Sequence, residues 1–207
     1  MTWPDDLGPQ LWNKTSTVNA ETPLDTLQHE KKILRRTMQA QRDALPEELR
    51  EEVAARLAAT GLRVLRDHRA ITGTVVAGYM PFRSEINPLP LMQALADAGA
   101  RLALPRMEGE HLVLHAFAFG DVLVSGPYGI LEPTASAPTV VPDIILTPLL
   151  AYDTQGGRLG YGKGFYDRLF AAHPAALRVG LAFPEQQVTR VPRAPHDAPL
   201  HLVLTGT

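Results

Sequence analysis

Three short segments, Thr74–Tyr79, Asp143–Thr147 and Val179–Phe183, are apolar at successive positions instead of at alternate ones. A strand of that kind buries both of its faces, which happens when helices cover a sheet on its two sides. The sequence between these runs supplies such helices. From Thr26, Leu27, Ile33, Leu34, Met38 and Leu45 recur at helical spacing, Pro46 followed by Glu47 and Glu48 marks a fresh start, and Leu49, Val53, Leu57 and Leu65 carry the pattern to Arg66. Pro88 to Ala98 reads as a helix closed by Gly99, and Gly164 to Ala172 as another. Arg101–Pro105, His111–Phe119 and Leu200–Leu204 read as further strands. Strands interleaved with helices predict an α/β fold with a mostly parallel sheet, in which ligands bind beyond the carboxyl ends of the strands.

The 207 residues are enough for one mid-sized domain. We assign residues 1–29 to an N-terminal extension and 30–207 to the α/β domain, with no repeat and no linker inside it. The extension is punctuated by Pro, Asn and Thr without a period, and Trp3, Leu7, Leu11 and Trp12 are its candidate anchors. It has no Arg and no apolar core, so neither a secretory signal nor a transit peptide fits, and a cytoplasmic location is expected. No apolar run reaches the length of about 18 residues that a membrane span needs, so no membrane partner is expected. Twenty Lys and Arg against 22 Asp and Glu give a net charge of −2, which argues against a surface built to neutralise nucleic acid. With no cysteine, disulfide frameworks, thiolate catalysis and Cys-ligated zinc are excluded. The seven histidines show no HxxxH or HExxH spacing, and there is no GxSxG elbow.

Chemistry concentrates in Asp153–Asp167, which follows an apolar strand and runs into a helix. Glycines at 156, 157, 160, 162 and 164 bare the backbone amides, Arg158 and Lys163 add charge, and the helix start adds free N–H groups. Together they describe an anion cradle, although the spacing is neither GxGxxG nor a Walker pattern; the bland alternative is a flexible turn with a charged rim. Asp167, in the first helical turn, is either a dipole partner or a Mg2+ ligand beside phosphates. A second carboxylate is then needed, and Asp197, between Pro195 and Pro199, has the right topological place. Lys31 and Arg35 lie one helical turn apart with Arg42 on the same face, either a solvated basic stripe or one that faces an anion. Glu85 lies in the loop beyond the first strand.

In order along the chain, Lys31-x-x-Leu-Arg35, Tyr79-Met-Pro-x-x-x-Glu85, Leu104-Pro105, Arg158-Leu-Gly-x-Gly-x-Gly-Phe-Tyr-Asp167 and His196-Asp197 form a pattern. On these blocks the chain resembles the 5-formyltetrahydrofolate cyclo-ligase (5,10-methenyltetrahydrofolate synthetase) family over about residues 30 to 205. The resemblance implies a three-layer, Rossmann-like α/β fold. It also implies ATP- and Mg2+-dependent closure of 5-formyltetrahydrofolate to 5,10-methenyltetrahydrofolate, with release of ADP and phosphate. Carried over by position, Lys31, Arg158 and Lys163 would be catalytic, and Lys31, Arg35 and the segment Arg158, Leu159, Gly160, Tyr161, Gly162, Lys163, Gly164, Phe165 and Tyr166 would hold ATP. Met80 and Glu85, with Tyr161 to Phe165, would hold the folate, and Asp167 with Asp197 the Mg2+. The implied partners are these small molecules, with no nucleic acid and no membrane, and a monomer or weak dimer is expected. Three positions depart from the pattern: Tyr161 stands where some relatives have Arg, Lys163 where bacterial relatives often have Gly, and His201 where an acidic residue is common. Tyr161, His201 and the added N-terminal arm keep open a second reading, a non-catalytic relative that binds folate or nucleotide and regulates.

Overall fold

A computed structural model describes residues 23–195 and 197–206; the proposed anchors Trp3, Leu7, Leu11 and Trp12, and His196, lie outside the described residues. The elements in chain order are α1 (Pro23–Asp43), α2 (Glu47–His68), β1 (Val75–Ala77), α3 (Leu89–Asp97), β2 (Arg101–Glu108), β3 (His111–Phe117), β4 (Leu123–Ser125) and β5 (Leu131–Pro133). They continue as β6 (Ile144–Pro148), β7 (Ala151–Tyr152), β8 (Arg158–Leu159), α4 (Phe165–Ala172), β9 (Leu177–Leu181) and β10 (Leu202–Leu204). Helix α1 spans Pro23–Asp43, so residues 23–29 are part of the helix that carries Lys31 and Arg35.

The main sheet has the order β10-β9-β6-β1-β2-β3, all parallel except β3, which pairs antiparallel with β2. Val76, Ile144, Leu146, Val179 and Leu181 project from one face onto Val53, Leu57 and Leu65 of α2 and Leu91, Met92 and Leu95 of α3. Val75, Ala77, Ala103 and Ile145 project from the other face toward Leu169 and Phe170 of α4. The expected three-layer fold, with helices on both faces, is the one observed. Because successive residues are buried on opposite sides, even the three-residue β1 contributes a complete apolar load, each large side chain supplying about 1.5–3 kcal/mol.

Strand β1 sits centrally, and the chain leaves it toward β2 on one side and returns to β6 on the other. This is the topological switch at which ligand crevices open in such sheets. Beyond Ala103, β2 parts from β1 and continues with β3 as a two-stranded ribbon to Glu108. Pro105, which has no N–H to give, lies on this freed edge, so the strand is longer than its expected end at Pro105. Two hairpins escape the sequence pattern, β4–β5 and β7–β8, because strands of two or three residues show no period.

Candidate active site

The loop leaving β1 and the chain after β6 meet at the carboxyl edge of the sheet, with α1 laid across them. Met38 of α1 packs with Leu150, Ala151, Leu159 and Val191, which docks the helix on the β7–β8 hairpin. Docking turns one stripe of α1 inward: Lys31 is 6% and Arg42 2% exposed, so the basic stripe is not a solvated one. Between α1, the two loops and the β2–β3 ribbon lies a cavity of about 450 Å3. That is within the size range of small-molecule sites.

All fifteen residues to which the family resemblance assigned a site role line this one cavity: Lys31, Arg35, Met80, Glu85, the run from Arg158 to Asp167, and Asp197. Met107 and Leu112 from the ribbon, Tyr79, Phe82 and Arg83 from the β1 loop, and Tyr128 with Ile130 also line it and were missed. Met107 lies beyond the expected end of β2 at Pro105, and Leu112, inside an expected strand, carries no local mark of a site. Arg83 and Tyr128 carry a detectable mark only in three dimensions, since they adopt positive φ (55° and 64°), a conformation that concentrates at ligand clamps when the residue is not glycine.

The glycine segment divides into two parts. Gly156 and Gly157 belong to the turn of the β7–β8 hairpin, not to the cavity wall, which corrects the reading of them as part of an anion cradle. The anion there is internal. Asp153 Oδ1 accepts from the amides of Gln155 (2.9 Å) and Gly157 (2.7 Å), and Oδ2 from that of Val191 (2.9 Å). Burial alone pushes the Asp153 carboxyl up; the three amides, helped by Arg193, reverse this and hold it below the usual carboxylate range.

The second part, Gly160 to Gly164, faces the cavity. Gly162 has φ +90°, and a Cβ there would lie 2.9 Å from Arg35 Cζ, so the guanidinium rests directly on bare backbone. Arg35 Nε also donates to the carbonyl of Gly160 (2.9 Å), and its burial lowers its proton affinity while Asp197 raises it. Gly164, at φ +69°, starts α4 with no side-chain cap, leaving that terminus to other acceptors. Arg168 fastens the segment to the β2–β3 turn by donating to the carbonyls of Glu110 and Lys163.

Each candidate metal carboxylate has a cationic partner. Arg158 Nη2 donates to Asp167 Oδ1 (2.7 Å), and Lys31 pairs with Asp197 Oδ2, which also accepts from the amide of Ala194 (2.6 Å). No cluster of three or more His, Asp or Glu exists among the described residues. A pair of carboxylates fits Mg2+, which keeps water and takes substrate phosphate oxygens, better than it fits a cation caged wholly by protein.

Another part of the lining is built on a buried carboxyl. Glu85, 8% exposed, accepts from the amide of Phe82 (2.9 Å), and burial pushes its carboxyl up to about 7 against the opposing pull of that amide, Arg42 and the Tyr161 hydroxyl. Desolvation and the Glu85 carboxylate raise the Tyr166 hydroxyl, so it keeps its proton. Phe82 packs edge-to-face on Tyr161 (6.3 Å, 73°). Of the three departures, Tyr161 and Lys163 line the cavity and His201 does not; its ring nitrogens meet the backbone and guanidinium of Arg178 instead.

Residues 27–206 match the 5-formyltetrahydrofolate cyclo-ligase family. The chain belongs to that family. The cyclo-ligase of Mycolicibacterium smegmatis is 34% identical over 188 residues, covering 84% of this chain and 93% of the relative. That of Escherichia coli K12 is 33% identical over 180 residues, 79% of this chain and 93% of the relative. Among solved cyclo-ligase-type structures, the 5,10-methenyltetrahydrofolate synthetase of Aquifex aeolicus is 32% identical with a TM-score of 0.73, covering 85% of this chain and 89% of that one. The synthetase of Mycoplasma pneumoniae, 20% identical with a TM-score of 0.69 over 86% of this chain and 99% of that one, shares the fold.

Proposed function

We propose that this cyclo-ligase family member catalyses the ATP-dependent cyclisation of 5-formyltetrahydrofolate to 5,10-methenyltetrahydrofolate, releasing ADP and phosphate. The observation that carries the reading is the make-up of this one cavity wall. It brings together Lys31, Arg35, Lys163 and an uncapped helix start for a polyphosphate with Glu85, Met80, Phe82 and Tyr166 for a flat heterocycle. The formyl oxygen attacks the γ-phosphorus and ADP leaves, giving an N5 iminium phosphate. N10 then attacks the formyl carbon, loses its proton, and phosphate departs with the former formyl oxygen. The protein contributes position and charge, which is how phosphoryl transfer is generally accelerated.

In this reading Lys31, Arg158 and Lys163 neutralise charge on the transferring phosphoryl group. Arg35 and the backbone from Leu159 through Gly164 to Tyr166 wrap the nucleotide. Met80 and Glu85 hold the folate together with Tyr161 to Phe165, Glu85 accepting hydrogen bonds from the pterin. Asp167 and Asp197 would hold Mg2+, which supplies charge neutralisation at the phosphates when bound. Their present partners Arg158 and Lys31 are the cations meant for phosphate, so nucleotide entry exchanges one set of ion pairs for another. The cytoplasm and a monomer or weak dimer suit an enzyme of soluble small molecules; among the described residues no helix is long and apolar enough to cross a membrane.

Mixing the protein with MgATP and 5-formyltetrahydrofolate should produce methenyl-folate absorbance and ADP in equal amounts, and neither without ATP. Tight binding of both ligands with no turnover would replace this reading by the regulatory one, for which the Tyr161 departure in the cavity wall speaks.

A further inference from the structure

Arg42 does not line the cavity, yet it is among the most deeply buried side chains, at 2% exposure. Its Nε donates to Ser84 Oγ (3.0 Å), its Nη1 to the carbonyl of Leu149 (3.1 Å) and its Nη2 to the Tyr161 hydroxyl. Its Cζ lies 5.7 Å from the Tyr161 ring centroid. All three acceptors are uncharged. A buried guanidinium without a carboxylate in direct contact is costly, so its retention asks for a use. The three acceptors belong to three different loops: Ser84 to the one after β1, Leu149 to the one after β6, and Tyr161 to the glycine segment. The planar fork of arginine can satisfy that arrangement and the point charge of lysine cannot.

We propose that Arg42 is a positioning residue for the cyclo-ligase reaction: from behind the cavity it fixes three loops in register, and so sets Tyr161 and Glu85 in the wall that reads the pterin ring. The proposal rests on the folate reading above.

Tyr161 is the link. Its hydroxyl accepts from Arg42 and favours the charged form of Glu85, so a hydroxyl in the cavity wall is oriented by a cation that does not itself line the cavity. Glu85 is faced by Arg42 from α1, Tyr79 from the end of β1, Tyr161 from the glycine segment and Tyr166 from α4, while Arg83 of its own loop acts on Tyr161. The three tyrosines are all raised and stay neutral at ordinary pH, so Arg42 is the cation in this set that favours Glu85 ionisation. Ionisation matters chemically because the pterin presents a ring N–H and an amino group side by side. A carboxylate accepts from both; a carboxylic acid accepts from one and opposes the other with its own proton.

The test reads the Glu85 carboxyl directly, by carbon NMR titration of the ligand-free protein, beside the pH profile of 5-formyltetrahydrofolate affinity. In Arg42→Met the Glu85 midpoint should rise by about one unit. The pH at which folate affinity is gained should rise with it, and KM for folate should increase about tenfold or more, while KM for ATP changes several-fold less. Arg42→Lys, which keeps the charge, should return the midpoint toward wild type. If Arg42→Met does not fold, Tyr161→Phe, lacking one hydroxyl, should raise the midpoint in the same direction. An unmoved Glu85 midpoint in whichever of these two variants folds overturns the proposal, as does an equal rise of both KM values with no change in profile. Because the titration needs no turnover, an inactive wild-type protein would sink the folate reading while leaving the coupling of Arg42 to Glu85 measurable.

Discussion

Asp167 is 24% exposed but its partner Arg158 only 6%, so replacement by Asn, which keeps an acceptor and removes the countercharge, should cost about 1.5–3 kcal/mol of stability. Its cost to turnover should be about a hundredfold or more, because charge at the transferring phosphoryl group goes unanswered. Chemical denaturation beside steady-state kinetics separates the two, and wild-type turnover in Asp167→Asn would remove it from the metal site. Glu85 behaves oppositely with respect to the fold. Its folded-state pKa is raised from the model-compound value of 4.5 to about 7, so the stability it lends is complete below 4.5 and is lost as pH rises through 7. That change amounts to about 3 kcal/mol. Glu85→Gln should flatten the pH dependence of stability between pH 5 and 8 and unfold later than wild type at pH 8, while losing folate affinity. Lys31→Ala should raise the ATP concentration needed for half-maximal rate, since its ammonium is 6% exposed and its carboxylate partner lines the cavity too.

At the scale of elements, the β7–β8 hairpin decides where the glycine segment points, and Asp153 decides the hairpin. Asp153→Ala leaves three amides without their acceptor, at a cost on the order of 3 kcal/mol. Because that carboxyl is held below its usual range, its contribution is present above a pH of about 3.8 and fades as pH falls through its lowered value. An acid-unfolding curve of Asp153→Ala should therefore lack the steep final limb of the wild type. Gly162→Ala would place a side chain at φ +90° against Arg35, costing about 1–2 kcal/mol, and its larger effect should be weakened nucleotide binding measured by calorimetry.

For the molecule as a whole, a ligand that bridges α1, the β1 loop and the glycine segment stabilises the fold by mass action. At 100 times its dissociation constant, MgATP should contribute about 2.7 kcal/mol. In a protein of this length that raises Tm by about 5–10 °C in a thermal scan. Lys31→Ala should reduce the shift. An unchanged wild-type Tm at saturating MgATP would mean that the cationic part of the cavity wall does not hold the nucleotide.

The doubly apolar strands at 75–77, 144–148 and 177–181 revealed the layered sheet because burial on both faces leaves its trace in consecutive residues. The glycine segment revealed a site because bare amides, cations and a helix start occur together in few other settings. The chain left the rest unreadable for a physical reason: the partners are far apart in sequence. Asp153 consumes the amide of Val191, 38 residues on, and nothing local marks Gly156 and Gly157 as already used. Arg42 meets Tyr161, 119 residues away, and without that contact it looks like one more cation on a basic helix face. Local composition determined which groups this protein has for binding an anion and a flat ring. Only packing α1 across the carboxyl edge of the sheet decided which of them face the cavity, which are spent on the fold, and which act from behind it.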